Sequence, residues 1–222
     1  MSPFLDQPLG RIARDLAGAS AVLRDCKLDF CCNGNRTLRE AAAGAGLDAQ
    51  AIAQRLQGLP PLAQSGQTDW AAAAPQELIA HILDRFHRVH REQFPELIRL
   101  ASRVEQVHGQ RPECPAGLAE HLCDMEQALE DHMQKEEMIL FPMIERGAGL
   151  QAGGPIHVMR IEHDEHGQQL QRLAELTGDI TPPQAACTTW RALYTGLRAL
   201  RDDLLEHIHL ENNILFPNAQ GA

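Results

Sequence analysis

Residues 132–142, HMQKEEMILFP, return as HIHLENNILFP at residues 207–217. His-x-x-x-Glu and Ile-Leu-Phe-Pro recur together, in the same order and 75 positions apart. Working outward, Leu118, Leu122, Met125 and Leu129 lead into His132 and Glu136, and Ile139 and Met143 follow. Leu193, Leu197, Leu200 and Leu204 lead by the same steps into His207 and Glu211, and Ile214 follows. Steps of three and four mark the inward stripe of a bundle helix. A histidine and a glutamate therefore interrupt an apolar seam at the same depth on two helices.

A second pair of segments repeats as well. Leu83, His87, His90, Phe94 and Leu97 are matched by Met159, His163, His166, Leu170 and Leu173, each 76 residues later. Two similar helical hairpins are expected, with helices near residues 75–108, 116–147, 155–177 and 183–215. The stretches RPECP, GAGLQAGGP and GDITPP connect them. Connections this short favour antiparallel neighbours, hence an up-down-up-down four-helix bundle over residues 75–222. Pro95 should kink or break the first helix.

Ahead of the bundle, residues 1–60 read as a small helical domain. Leu9, Ile12, Leu16, Ala19 and Leu23 share one helix face within residues 8–24. Thr37 and Glu40 have the spacing of a capping box. Asp48 caps a further helix carrying Ile52 and Leu56, which Gly58 can end. Residues 61–74 are the expected linker, since the Pro, Gly and Ser of LPPLAQSGQTDW (59–70) interrupt every period. No segment alternates with the period of a strand, and aromatic residues are only 4%, so the expected class is all-α.

The formal charge of −10 argues against general affinity for nucleic acid or an anionic membrane. No stretch approaches a membrane span. MSPFLDQPLG lacks the basic segment and apolar run of a secretory signal, so a cytoplasmic location is expected. Six cysteines without an export signal do not suggest a disulfide framework. Cys26, Cys114, Cys123 and Cys187 read as ordinary thiols. The adjacent Cys31 and Cys32 are candidates for relaying iron or electrons, because a thiolate binds iron and is reversibly oxidised. Nearby Lys27 and Arg36 would favour thiolates. The bland alternative is two small apolar residues at a turn before Asn33-Gly34.

A carboxylate in a bundle core is costly unless paired or coordinated. Glu136 and Glu211, surrounded by imidazoles and without core Lys or Arg, call for a cation. Positions i and i+4 lie on one helix face about 6 Å apart along the axis, so His-x-x-x-Glu can serve one metal centre. A lone histidine in an apolar stripe is ordinarily a hydrogen-bonded core residue; the doubled motif reverses that expectation. Adding one histidine from each remaining helix gives four imidazoles and two carboxylates. That is too many donors for one tetrahedral zinc and suits a dinuclear centre. The residues alone leave open whether His87 or His90, and His163 or His166, are the ligands. The unused pair would line the site or orient its neighbours. Glu162 is the foremost acidic candidate for orienting a ligand, while Glu130, Asp131, Asp164 and Glu165 read more simply as a solvated face. Imidazole with carboxylate fits iron, although ligand type does not separate iron from manganese. Two divalent ions carry four positive charges against two from Glu136 and Glu211, and a bridging oxide or hydroxide can supply the balance.

These residues resemble hemerythrin-like domains. The segment LDFCCNGNRTLREAA is similar to the small domain of the iron-sulfur cluster repair proteins, the RIC (YtfE/ScdA) family. DQPLG, CTTW, HDEHG and ENNILFP fit the same family, so the resemblance covers nearly the whole chain. It implies that the ligands are the first histidines of RFHRVHRE and IEHDEHG, His87 and His163, with His132, Glu136, His207 and Glu211. It further implies two non-haem iron ions per chain, damaged iron-sulfur proteins as partners, and nitric oxide or oxygen as small ligands. Repair by supplying iron is the implied activity; a homodimer is left open. Oxygen-carrying hemerythrins have an extra histidine and an aspartate bridge, where this chain has a second His-x-x-x-Glu.

Two rivals accompany this reading. One is a hemerythrin-like sensor of oxygen or nitric oxide signalling through the N-terminal domain. Seven basic and six acidic residues in positions 1–60 make that domain a poor DNA reader. The other is an enzyme turning over nitric oxide or peroxide.

Overall fold

The computed structural model describes residues 2–221. The fold is all-α: no strand occurs among the described residues, which hold only isolated bridges of Pro8 with Thr37 and Leu16 with Pro61. No described helix is long and apolar enough to cross a membrane. Two compact units interleave along the chain. One gathers the residues up to Ile79, Gly147–Gln151 and those from Leu205 onward; the other gathers Ala80–Arg146 and Ala152–Leu204.

In the first unit, the single helix expected over residues 8–24 is two, α1 (Leu9–Asp15) and α2 (Ala19–Asp25). The chain breaks because Leu16 is extended and bridges Pro61, after which Gly18 takes φ 84°, a conformation open to glycine. Thr37 forms the expected capping box with Glu40 ahead of α3 (Leu38–Gly44). Asp48 caps α4 (Ala49–Gln57) by accepting from the Gln50 amide, and Gly58 ends it. Leu9, Ile12, Leu23, Leu38, Ile52 and Leu56 are buried as their periodicity requires.

The bundle begins with α5 (Pro75–Ile82) and α6 (Arg88–His108), then α7 (Leu118–Lys135), α8 (Phe141–Glu145), α9 (Gly153–Leu176), α10 (Thr188–Leu210) and α11 (Phe216–Gln220). Contacts within the second unit give the directions. Glu105 accepts from the Ala119 amide while Arg91 pairs with Glu130, so α6 and α7 are antiparallel. His121 bonds the Gln169 carbonyl and His132 reaches Glu162, which reverses α9 against α7. His108 stacks on Trp190 and Gln93 bonds Asp203, reversing α10 against α6. Pro95 does not interrupt α6. A missing amide costs about 3 kcal/mol in a helix interior, and here buried Phe94 and Leu97 on either side keep the helix packed.

The interruptions lie elsewhere. Residues Leu83–His87, Glu136–Leu140 and Glu211–Leu215 each form one π turn. Arg88, Phe141 and Phe216 donate their amides five residues back, to the carbonyls of Leu83, Glu136 and Glu211. After the second and third turns comes Pro142 or Pro217, which has no amide with which to resume the ordinary ladder. This gives the repeated Ile-Leu-Phe-Pro its local meaning. Each π turn inserts one residue and moves the apolar seam by one position. Ile139, expected inside, is 52% exposed, and Met143 is only half-buried; Leu140 and Ile144 take their seats. Leu83, likewise expected inside, is half-buried and Ile82 replaces it.

Candidate metal centre

Within the second unit, Glu136 heads a π turn and is fully buried. Its Oε2 lies 3.3 Å from His87 Nε2 and its Oε1 lies 3.5 Å from His132 Nε2. One carboxylate thus faces an imidazole of the preceding helix through one oxygen and an imidazole of its own helix through the other. His163 brings its Nε2 to 3.1 Å from His132 Nε2. Donor atoms of His132, Glu136 and His163 all lie within 4.8 Å of one another. A cation about 2.0–2.2 Å from nitrogen and oxygen ligands sets them roughly 3.0–3.5 Å apart, so these residues fit a metal ion. No lysine or arginine is among them.

The outer ring nitrogens are held too. His87 Nδ1 lies 2.8 Å from Glu137 Oε1, and His132 Nδ1 lies 2.9 Å from Glu162 Oε2. A proton kept on Nδ1 by a carboxylate turns the Nε2 lone pair toward the interior and makes it a stronger donor. Arg91 bonds Glu137 at 2.9 Å, and Lys135 bonds Glu162. The hydrogen bond from His132, helped by Lys135 and opposed by burial, lowers the Glu162 pKa to about 2. Glu162 thus sits where an orienting residue belongs. Glu137 was not singled out in the sequence, although its adjacency to Glu136 was visible there.

His90 and His166 have matched surroundings. Each is buried and has Nδ1 beside the side-chain oxygen of a glutamine three residues on, Gln93 at 3.3 Å and Gln169 at 3.1 Å. His166 also packs edge-on against the His132 ring, at 5.0 Å between centroids. These glutamines follow the same 76-residue offset as the histidines.

In the first unit, His207 and Glu211 are buried, with His207 Nε2 3.2 Å from Glu211 Oε1. Glu211 again heads a π turn, and the next two residues reach the double cysteine. Asn212 donates its side-chain amide to the Cys31 carbonyl at 3.2 Å. Asn213 donates to the carbonyls of Phe30 and Cys31 and lies 3.1 Å from His209 Nδ1. His209 is buried under the edge of Phe30, and burial pushes its pKa down to about 4. His209 thus seats this asparagine.

Cys31 and Cys32 hold their sulfurs 3.8 Å apart, and all six cysteines are free thiols. The hydrogen bond with Cys32, then burial, then nearby Asp29 push the Cys31 thiol pKa well up. That corrects the expectation that Lys27 and Arg36 favour a thiolate: Arg36 is turned to the Glu40 carbonyl instead.

Two family profiles match the chain. Residues 78–219 match the profile of the hemerythrin HHE cation binding domain. Residues 5–60 match the ScdA_N profile, a domain of unknown function (DUF542). The iron-sulfur cluster repair protein YtfE of Dickeya chrysanthemi is 53% identical over 216 residues, 97% of each chain. The proteins of the same name from Cronobacter sakazakii and Citrobacter koseri are 51% and 50% identical, again over 97% of each chain. The chain belongs to the YtfE family. Its hemerythrin-like part matches a cation-binding domain, and buried His and Glu side chains there offer atoms that could hold a metal ion.

Proposed function

We propose that this protein repairs iron-sulfur clusters damaged by nitric oxide or oxidants, and that it does so by donating iron. The observation that carries the reading is Glu136 spanning His87 and His132, in a chain 53% identical to a protein named for cluster repair. His87, His132, Glu136, His163, His207 and Glu211 are the residues that would hold two iron ions. For His207 and Glu211 the support is their repetition of His132 and Glu136 in sequence, within a family profile that runs unbroken through both motifs. Iron bound there supplies Lewis acidity and one-electron redox chemistry.

The chain's own part is to set the donors. Glu137 and Glu162 hold the Nδ1 protons of His87 and His132, and Arg91 and Lys135 fix those carboxylates in turn. Protonation of an imidazole ligand favours metal release, so histidine-rich ligation suits iron that must leave as well as stay. In the proposed division, residues 1–60 carry the cysteine pair, 61–74 link, and 75–222 bind the metal. Cys31 and Cys32 receive departing iron; the bonds from Asn212 and Asn213, next after Glu211, support that role. Damaged iron-sulfur proteins are the partners, and the cytoplasm is the proposed location.

Reactivation of a nitric-oxide-damaged iron-sulfur dehydratase tests this. Iron-loaded protein and reductant are compared with the His132→Ala/Glu136→Ala variant given equal free iron. Recovery only with the intact site is expected; equal recovery with the variant overturns donation.

A further inference from the structure

The turn Leu28–Gly34, LDFCCNG, brings three donors together apart from the histidines. Asp29, Cys31 and Cys32 each offer an atom within 4.8 Å of the other two. Asp29 Oδ1 accepts from the Cys32 amide at 2.9 Å and from the Cys31 thiol at 3.3 Å. Its Oδ2 accepts from the Asn33 side chain at 2.6 Å. The carboxylate is thus folded back over the two sulfurs.

We infer that Asp29, Cys31 and Cys32 form a separate, mononuclear site for a thiophilic divalent cation. The spacing suits it. Two thiolates bound tetrahedrally at about 2.3 Å from a metal stand about 3.8 Å apart, and the sulfurs here are 3.8 Å apart. The donor set differs in kind from the imidazoles and carboxylates of the bundle, since thiolates select zinc, ferrous iron and similar ions over magnesium or calcium.

The turn is also preorganised. The Phe30 and Cys31 carbonyls are held by Asn212 and Asn213, and Phe30 is buried. Gly34 backs directly onto Asn213, where an added Cβ would come within 2.3 Å of Oδ1. Its carbonyl accepts from the Gly10 amide at 2.9 Å. Such support fixes donors before metal arrives.

Exposure decides what kind of site it is. Cys31 is buried, Cys32 half-buried and Asp29 exposed, so a cation would lie at the surface with apolar protein behind it. Three protein donors leave a tetrahedral ion one open position, whereas structural sites are closed by four. On binding, two S–H bonds break, two metal–sulfur bonds form and two protons pass to solvent. No oxidant or reductant is required. The inference rests on the proposed function only for naming ferrous iron as the cargo.

The test uses the full chain, reduced and iron-loaded, titrated anaerobically with cobalt(II). Histidine and carboxylate ligands give no thiolate-to-cobalt charge-transfer band, and comparison with Cys31→Ser/Cys32→Ser separates this pair from the other four free thiols. One thiolate-bound cobalt per chain is expected, lost in Cys31→Ser/Cys32→Ser and retained in His132→Ala/Glu136→Ala. Asp29→Asn should weaken binding at least about tenfold, with far-ultraviolet circular dichroism confirming that each variant is folded. Absence of the band in the wild type, or wild-type affinity in Asp29→Asn, overturns the proposal. Failure of cluster repair with the band intact would sink the donation reading and leave this site standing.

Discussion

Glu162 accepts a hydrogen bond from His132 Nδ1 at 2.9 Å across two helices of the bundle, α9 and α7, while its other oxygen takes Lys135. The carboxylate thereby fixes which imidazole nitrogen is available to a metal. Replacement by glutamine keeps the shape but removes the charge. Glu162→Gln should lower metal affinity by about 10–100-fold. The rate of iron transfer to a strong chelator measures this, and an unchanged rate would refute the orienting role.

The same pair makes stability depend on acid. The Glu162 pKa falls from its ordinary 4.5 to about 2 in the folded chain, so its folded carboxylate is favoured. Its contribution is complete above the unfolded pKa and disappears as pH falls through about 2. Metal-free wild-type protein should therefore lose stability between pH 4.5 and 2 more steeply than Glu162→Gln. Denaturant melts across that window provide the comparison; parallel slopes would contradict it.

Met138 lies in the π turn that Glu136 heads and is 77% exposed, so its side chain contributes little packing. Deleting it removes the extra residue, so Leu140 and Ile144 keep the inward phase of an ordinary α-helix, but the Pro142 ring then meets the carbonyl four residues before it. Loss of bound metal and about 3 kcal/mol of stability is expected, read by metal analysis and a urea melt. A deletion variant with wild-type metal content would show that the turn does not set the ligand.

Two glycines should respond oppositely to alanine. At Gly34 the added Cβ would meet Asn213 Oδ1 at 2.3 Å and the Phe30 carbonyl at 2.7 Å, the second of which is backbone and cannot swing away. Gly34→Ala should cost about 1–3 kcal/mol. At Gly167, within α9, nothing lies within 4 Å of the added atom. Gly167→Ala should stabilise the chain by about 0.5–1 kcal/mol. Urea midpoints of the two variants give the signs, and a shared sign would show that backbone approach at Gly34 is not what matters.

The helical class was legible because apolar steps of three and four are a direct consequence of 3.6 residues per turn. The capping box at Thr37 was legible for a similar reason, being local chemistry at a fixed spacing. His132 and Glu136 stood out because a buried charge is costly enough to demand an explanation. The π turns escaped because one inserted residue leaves the pattern intact on each side and changes only its phase. Ile139, Met143 and Leu83 were misplaced for that single reason. The bonds from Asn212 and Asn213 to Cys31 join residues about 180 positions apart, and no periodicity encodes them. The split at Gly18 depended on Leu16 pairing with Pro61, another distant contact.

The three π turns differ in their downstream neighbours. A wide turn moves one step along a helix by exchanging one amide bond for the next. Beyond Glu136–Leu140 and Glu211–Leu215 the next amide belongs to Pro142 or Pro217, which has none to give. Neither turn can slide toward the C-terminus, and the glutamates at their heads are locked in phase. Beyond Leu83–His87, Arg88 donates across the turn and the next amide belongs to Val89, whose backbone can donate. Of the three turns, the one ending at His87 is alone in having an amide donor next in line, so proline fixes the register of the two glutamates and leaves that of the histidine to its packing and its bond with Glu137.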